Sequence, residues 1–216
     1  MKSDSEVDWA APDARGDALL GAGATRAEKM LTYGVGVAGA AILVFAAWIH
    51  RADWNVVQYI LAAIIAMDVV GGVVANGLNA AKRDHFGPPS ATEQSIGGRL
   101  VRRPVLFTAL HIHPVIVGVV YPPHQWWWGV LWYIAILAGT ALVRAVPLYL
   151  ERPAGLGFCA LATMVAVSTP SPEMWGWLPV MLSLKLVLAH AVQEEPYRPT
   201  MRGEGGSRRS QPVPSS

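Results

Sequence analysis

One apolar run decides the fold of this chain. Residues 55–80 read NVVQYILAAIIAMDVVGGVVANGLNA, and Asp68 is the only charged residue among them. A helix needs about 20 consecutive apolar residues to cross the hydrocarbon core of a bilayer, and this run exceeds that length. Its apolar residues are continuous and do not alternate with polar ones, as they would in a membrane β-barrel. The run therefore predicts a transmembrane helix.

Similar segments recur along the chain, which is 53% hydrophobic and only 15% charged. An ordinary soluble domain has about 25% charged residues, so the composition argues against a soluble protein. We predict an all-α fold, a polytopic membrane helix bundle with about six transmembrane helices. The predicted spans are Leu31 to His50, Asn55 to Ala80, Pro104 to Tyr121, Trp126 to Leu150, Ala154 to Thr169 and Trp175 to Val192.

The distribution of basic and aromatic residues predicts the orientation. With six spans, nearly all Lys and Arg residues fall on one side, and Arg51 lies on the other. Basic loops are typical of the cytoplasmic side, and Trp residues favour the membrane interfaces. The predicted outer ends contain Trp48, Trp54, Trp126, Trp127, Trp128, Trp132, Trp175 and Trp177. We therefore predict an N-in/C-in protein of the cell (inner) membrane, with the lipid bilayer as its main partner.

The chain divides into three predicted regions. Residues 1–30 are a disordered cytoplasmic leader, residues 31–195 are the six-helix transmembrane domain, and residues 196–216 are a disordered cytoplasmic tail. The leader lacks the short apolar stretch of a signal peptide. Cys159 is the only cysteine, which excludes an internal disulfide and argues against structural zinc. A net charge of +2 gives no reason to expect nucleic acid as a partner.

Two motif-like stretches are interpreted as structural. Residues 34–39 read GVGVAG, which matches a dinucleotide-binding fingerprint but lies inside an apolar span and follows no strand. Its small residues favour close helix packing. Glu194 and Glu195 precede Pro196, which ends a helix, so we interpret the two carboxylates as an interfacial helix end.

Ionisable residues lie within the predicted spans, among them Asp68, His111, His113, Lys185 and His190. Such residues cost about 2.5–3.5 kcal/mol each and usually mark function. A rise of about 1.5 Å per residue puts Asp68, His111 and His190 at one level in the cytoplasmic half. On a straight helix His111 and His113 lie about 200° apart, so they would not share an ion. We predict Asp68, His111 and His190 as catalytic residues.

A polar stripe continues from Asp68 towards the cytoplasm. The stripe contains Asp68, Gly72, Asn76 and Asn79, at spacings of four, four and three residues, so one helix face presents them all. Such a stripe favours a water-filled or protein-lined neighbour. We predict a substrate or proton path through Asn76, Asn79, Lys185 and Glu194.

The sequence leaves several functions open. Asp68, His111 and His190 are compatible with a membrane enzyme that acts on a lipid or isoprenoid substrate, either by acid/base chemistry or with a divalent metal as cofactor. The alternatives are a proton-coupled or small-solute transporter or channel subunit, and a haem protein with His111 and His190 as axial ligands. A fourth is a structural membrane protein in which Lys185 neutralises Asp68. The oligomeric state is not predicted.

A basic loop follows the second span. Arg99, Arg102 and Arg103, together with Lys82 and Arg83, lie in this loop. Each such residue is worth about 1 kcal/mol near an anionic membrane surface. We predict that Arg99, Arg102 and Arg103 contact anionic lipid headgroups; the alternative is that they only determine topology.

Overall fold

The computed structural model describes residues 5–10, 20–88 and 96–199. The helical part begins with two long helices, α1 (Arg26–Ile49) and α2 (Val56–Gly77). Four short helices follow: α3 (Asn79–Phe86), α4 (Ile96–Val101), α5 (Pro104–Ala109) and α6 (His113–Val120). The chain continues with α7 (Trp126–Ala145), α8 (Leu148–Ser168), α9 (Leu178–Leu182) and a π-helix, π1 (Ser183–His190). Two short strands, β1 (Ser5–Val7) and β2 (Tyr197–Pro199), complete the described elements.

Four helices in the described part of the chain are long and apolar enough to cross a membrane: α1, α2, α7 and α8. The segments at 104–120 and 178–190 are apolar but shorter. Capping boxes begin the first two long helices: Thr25 and Glu28 for α1, Asn55 and Gln58 for α2. In each box two side chains satisfy backbone N–H groups that lack helical partners.

Close packing joins the long helices around α2. This helix contacts α1 on one side and α9 and π1 on another, while α7 contacts α6 and α8. Gly36 of α1 lies against α2, where an added Cβ would stand 3.0 Å from the carbonyl oxygen of Met67. The absence of side chains at Gly36 and Gly71 therefore lets the two backbones approach, as small residues do in membrane helices.

The two strands bring distant parts of the chain together. β1 pairs with β2 in antiparallel register, with Val7 opposite Tyr197. The Asp8 N–H also donates to the Pro196 carbonyl at 2.9 Å. Disorder was also predicted for residues 1–4, 11–19 and 200–216, which lie outside the described residues. The predicted disordered tail began at residue 196. Residues 197–199 of that tail instead form β2 and pair with β1.

The end of the predicted leader is also structured. α1 begins at Arg26 instead of residue 31, because the Thr25–Glu28 capping box starts the helix there. Leu20 is buried against α2 and α3, and the Ala22 N–H donates to Asp84 Oδ2 at 2.8 Å. Residues 20–22, which we predicted to be part of a disordered leader, therefore pack against α2 and α3 and donate one backbone hydrogen bond to Asp84.

Three further span boundaries differ from the prediction. α2 ends at Gly77 because Leu78 is extended, with ψ at 144°, and a new helix begins at Asn79. The predicted polar stripe is therefore interrupted before Asn79. α7 ends at Ala145, before the extended Val146, as expected for a residue that precedes proline. α8 consequently starts at Leu148, ahead of the predicted Ala154, and has 21 residues.

Candidate intramembrane site

Asp68 and Lys185 form an ion pair between α2 and π1. Lys185 Nζ donates to Asp68 Oδ2 at 2.7 Å and to the Asp68 backbone carbonyl at 3.2 Å. The Lys185 side chain is 4% exposed, whereas the Asp68 side chain is 45% exposed. Gly72, one turn beyond Asp68, leaves room for the lysine stem, since an added Cβ would lie 2.8 Å from Lys185 Cδ.

His113 is the third member of this group, and the sequence analysis assigned it no role. Its Nε2 lies 3.4 Å from Asp68 Oδ2. The argument from a straight helix was wrong, because the chain leaves helical geometry at Leu110–Ile112, between α5 and α6. The His111 and His113 rings consequently lie on the same side, with centroids 5.5 Å apart. Pro114, which cannot donate a helical hydrogen bond, was the signal for this break.

The His111 ring has a defined tautomer if it is neutral. Its Nδ1 lies 2.8 Å from the Phe107 carbonyl oxygen. A carbonyl only accepts, so Nδ1 carries the proton and Nε2 is the acceptor nitrogen. We refer to Asp68, Lys185, His111 and His113 as the Asp68 cluster.

The cluster lies at the wall of a cleft with a volume of about 430 Å³, within the range of small-molecule sites. Its walls come mainly from α1 and α2, and most of the lining is apolar. The lining residues are Leu20, Thr32, Tyr33, Gly36, Ile64, Met67, Asp68, Gly71, Gly72, Ala75, Asn76, Val101, Phe107, His111 and Lys185. Asp68, Lys185 and His111 thus give an apolar cleft one strongly polar region.

His190 does not join the Asp68 cluster. The Phe107 ring lies between the two imidazoles, with centroid distances of 4.2 Å to His190 and 4.6 Å to His111. His190 is fully buried and faces His85 of α3, 4.5 Å away between centroids. The depth estimate along the helices did not reveal the intervening Phe107 ring.

This arrangement bears on the predicted cofactors. Among the described residues, no three His, Cys, Asp or Glu side chains are placed to hold a metal ion. The set of Asp68, His111 and His190 is therefore not assembled as a ligand shell. For haem, Phe107 occupies the space between the two predicted axial histidines. Neither cofactor enters our proposal for the function.

The residues predicted as a path separate into two groups. Asn76 stays with the Asp68 cluster, where its Nδ2 donates to the Lys185 carbonyl at 3.1 Å. Glu194 instead pairs with Arg152 at 3.2 Å and Lys82 at 3.8 Å. Asn79 begins α3. The structure thus relates Asn76 and Lys185 directly, and Glu194 belongs to a different ionic group.

Lys82 is buried in that second group, although the sequence analysis placed it in a surface loop. Its Nζ donates to the carbonyl oxygens of Ala189 at 2.5 Å and Val192 at 2.7 Å. Carbonyl groups at a helix end lack helical donors, and Lys82 satisfies two of them. Burial lowers the pKa of Lys82 to about 8, an effect that Glu194 and Glu151 partly oppose.

Arg144 and Glu151 complete this second group. Arg144 Nη1 donates to Glu151 Oε1 at 2.6 Å and to the Ala191 carbonyl at 3.3 Å. Glu151 Oε2 accepts from the Gln193 N–H at 2.8 Å. We refer to Lys82, Arg144 and Glu151 as the carbonyl clamp, because the two cations bind carbonyl oxygens at the end of π1. Burial also lowers the pKa of the neighbouring His85 to about 3, with Lys82 and Arg102 contributing.

The residues predicted to contact lipid headgroups differ in their surroundings. Arg99 and Arg103 are exposed. Arg102 donates to the carbonyl oxygens of Gly87 at 2.8 Å and Pro88 at 3.1 Å. Arg102 therefore braces the chain after α3, which distinguishes it from the other two.

Comparison with known proteins leaves the site to be interpreted from its own geometry. No known protein family, curated protein or solved structure matches this chain.

Proposed function

We propose that this chain is a membrane-embedded enzyme that performs acid/base chemistry on a lipid or isoprenoid substrate. One observation carries the proposal: the Asp68 carboxylate is paired with Lys185, yet 45% of its side chain remains exposed at the wall of an apolar cleft. A carboxylate that exchanges protons with a substrate must be accessible to it, and the exposed surface of Asp68 meets that requirement.

The neighbours of Asp68 suit proton transfer. His113 Nε2 lies 3.4 Å from the carboxylate, and His111 presents an acceptor nitrogen because its Nδ1 is bonded to the Phe107 carbonyl. Imidazole is the side chain that most often transfers protons near neutral pH. In this proposal Asp68 orients His113, and His111 or Asp68 accepts the proton of the substrate.

The lining of the cleft supports an apolar substrate. Ile64 and Met67 lie on α2, a helix apolar enough to cross a membrane, and are themselves exposed. Tyr33 of α1 and Phe107 of α5 add aromatic surface. A ligand dissolved in the bilayer would therefore reach Asp68 without crossing a charged surface.

A comparison of lipid extracts tests this activity. Membranes with the wild-type chain should contain a lipid-soluble product that Asp68→Asn and His113→Asn membranes lack at equal expression. His124→Asn is the matched control, because His124 is an exposed histidine away from the cleft. Identical lipid profiles for wild type and Asp68→Asn would contradict the enzyme proposal.

The proposal includes six spans with both termini in the cytoplasm. The pairing of β1 with β2 supports it, because strands at both ends of the chain can pair only on one side of the membrane, which requires an even number of spans.

Cysteine labelling tests this topology. Single cysteines at Ser3, Ser95 and Ser207 should resist a membrane-impermeant thiol reagent in intact cells, while Pro123→Cys should react. Reaction of Ser95→Cys from outside would overturn the arrangement.

Placement in the inner membrane and contact of Arg99, Arg102 and Arg103 with anionic headgroups are part of the same proposal. The exposure of Arg99 and Arg103 supports it. Replacing these two by Gln should weaken retention of anionic lipid in purified protein, and unchanged retention would remove the headgroup contact from the proposal.

A further inference from the structure

The two parts of the ligand cleft differ in burial. Ile64, Met67 and Tyr33 line one part, and all three are exposed on helices apolar enough to cross a membrane. Near the end of α2, the lining residues Ala75 and Asn76 are buried. The cleft is therefore open on the side that a bilayer would cover and closed at the end of α2.

Leu20 forms the wall at this closed end. It lines the cleft, is 1% exposed, and packs with Ala75, Leu78 and Ala81 in one apolar cluster. Its side chain therefore lies between the cleft and the junction of α2 with α3. In the proposed topology this junction is cytoplasmic, so Leu20 stands between the cleft and the cytoplasm.

The next two residues fix the position of Leu20. Gly21 has a φ of +84°, and an added Cβ would lie 2.6 Å from the carbonyl carbon of Ala80. The Gly21 backbone thus lies directly on the backbone of α3, an approach that glycine allows. Ala22 is fully buried, and its N–H donates to Asp84 Oδ2 at 2.8 Å. We refer to residues 20–22 as the seal, because three consecutive residues are held against the end of the cleft.

We propose that the seal separates the cleft from the cytoplasm and that its displacement opens the cleft to water from that side. While the seal is in place, the cleft exchanges ligands with the bilayer alone. Exclusion of water strengthens electrostatic interactions within a site and prevents side reactions. The inference rests on the proposed function for the ligand cleft and the topology, and it gives the segment before α1 control over access to the cleft.

Cysteine labelling in inverted membrane vesicles tests the seal on the full chain. The probe is a charged, membrane-impermeant methanethiosulfonate, and mass spectrometry of the digested protein measures each thiol separately. The test position is Ala75→Cys, where the residue packs against Leu20. With the seal intact, this thiol should react slowly. Adding Gly21→Val, whose side chain does not fit against Ala80, should raise the rate about tenfold, since a buried group reacts through local opening.

Three controls accompany this measurement. Ala27→Cys, at an exposed position in the first turn of α1, should react rapidly in every variant. The native Cys159 is buried in α8 and should stay unreactive, which shows that the bundle remains folded. Gly157→Val, where an added Cβ would meet nothing within 4 Å, is the matched substitution and should leave the Ala75→Cys rate unchanged.

Leu20→Asp displaces the seal in a second way. A carboxylate without a partner is strongly unfavourable in the apolar space that Leu20 fills, so the segment should leave its place on α2 and α3. Ala75→Cys should then react as fast as it does with Gly21→Val. If Gly21→Val also made Cys159 reactive, the Leu20→Asp variant would decide.

The outcomes separate this inference from the proposed function. Rapid reaction of Ala75→Cys with the seal intact would overturn the inference, and so would protection that persists with both Gly21→Val and Leu20→Asp. Reaction in right-side-out vesicles alone would overturn it too, because the sealed end would then face the outside. Absence of a lipid product that depends on Asp68 would overturn the enzyme proposal and leave the labelling results for the seal unchanged.

Discussion

Two ionic groups contact π1, one at its middle and one at its end. They contain similar residues, but their carboxylates differ in how far they are buried. The Asp68 cluster includes Lys185, which lies in the middle of π1, and the carbonyl clamp contacts the end of the same helix. In the clamp, the side chains of Lys82 and Glu151 are 2% and 5% exposed, and that of Arg144 is 32% exposed. Asp68, by contrast, is nearly half exposed.

The partners of the two groups differ as well. The clamp satisfies carbonyl oxygens and one N–H at a helix end, so its charges stabilise backbone groups at the end of π1. The Asp68 carboxylate keeps surface towards a cleft. Burial and saturation thus distinguish an ionic group that stabilises the bundle from one that is available to a ligand.

Removal of Glu151 should have the largest effect on stability. Glu151→Ala leaves Arg144 without its carboxylate and the Gln193 N–H without its acceptor. We expect a loss of about 3 kcal/mol in the free energy of unfolding, measured in mixed micelles. Glu173→Ala, at an exposed carboxylate, should change it by less than about 0.5 kcal/mol. If both variants lost the same free energy of unfolding, the clamp would stabilise the protein no more than an exposed carboxylate does.

Lys82 should make stability depend on pH. Its pKa is about 8 in the folded protein, below the ordinary value of 10.5, so between these values the unfolded chain binds more protons. Stability should therefore rise with pH in this window, by roughly 2 kcal/mol between pH 8 and pH 10. The difference between wild type and Lys82→Met, measured by unfolding at each pH, isolates this contribution. A difference that is flat or falls with pH would contradict it.

The Asp68–Lys185 pair should matter less to stability than to activity. Asp68→Asn should cost about 1 kcal/mol, because the Asn oxygen and the backbone carbonyl still accept from Lys185, but should abolish product formation. Adding Lys185→Met should not restore activity. A double variant that recovered both stability and product would show that the pair is structural, like the clamp.

Gly72→Ala gives the smallest expected change in stability. The added Cβ displaces the flexible end of Lys185, while alanine favours the helix by up to about 1 kcal/mol. The two effects should nearly cancel in the free energy of unfolding, yet product formation should fall about tenfold as Lys185 leaves Asp68. Gly77→Ala, where an added Cβ meets nothing within 4 Å, should keep full activity.

Hydropathy was sufficient to find the long helices because the requirement for about 20 apolar residues is local. Their ends were less predictable. Pro147 was a visible signal that α7 stops at Ala145, and Asn76-Gly77, a dipeptide typical of turns, was a signal that α2 stops before the extended Leu78. A prediction from hydropathy alone uses neither signal.

The candidate site likewise contains features that the sequence predicts and features that it does not. Asp68 and Lys185 could be paired from depth alone, because both lie at one level in apolar segments. His113 was missed because the prediction assumed a continuous helix through Leu110–Ile112. The burial of Lys82 depends on carbonyl oxygens more than 100 residues later in the chain, and backbone groups leave no pattern in a sequence.

The pairing of β1 with β2 has a consequence for biosynthesis. β1 is the first described segment to leave the ribosome, and its partner is among the last. At 5–20 residues per second, roughly 10–40 s separate their synthesis. Throughout that time the backbone N–H and C=O groups of β1 are open to other strands. A chain that stops before Tyr197 lacks the partner strand, so closure of this strand pair reports that synthesis has passed Pro199.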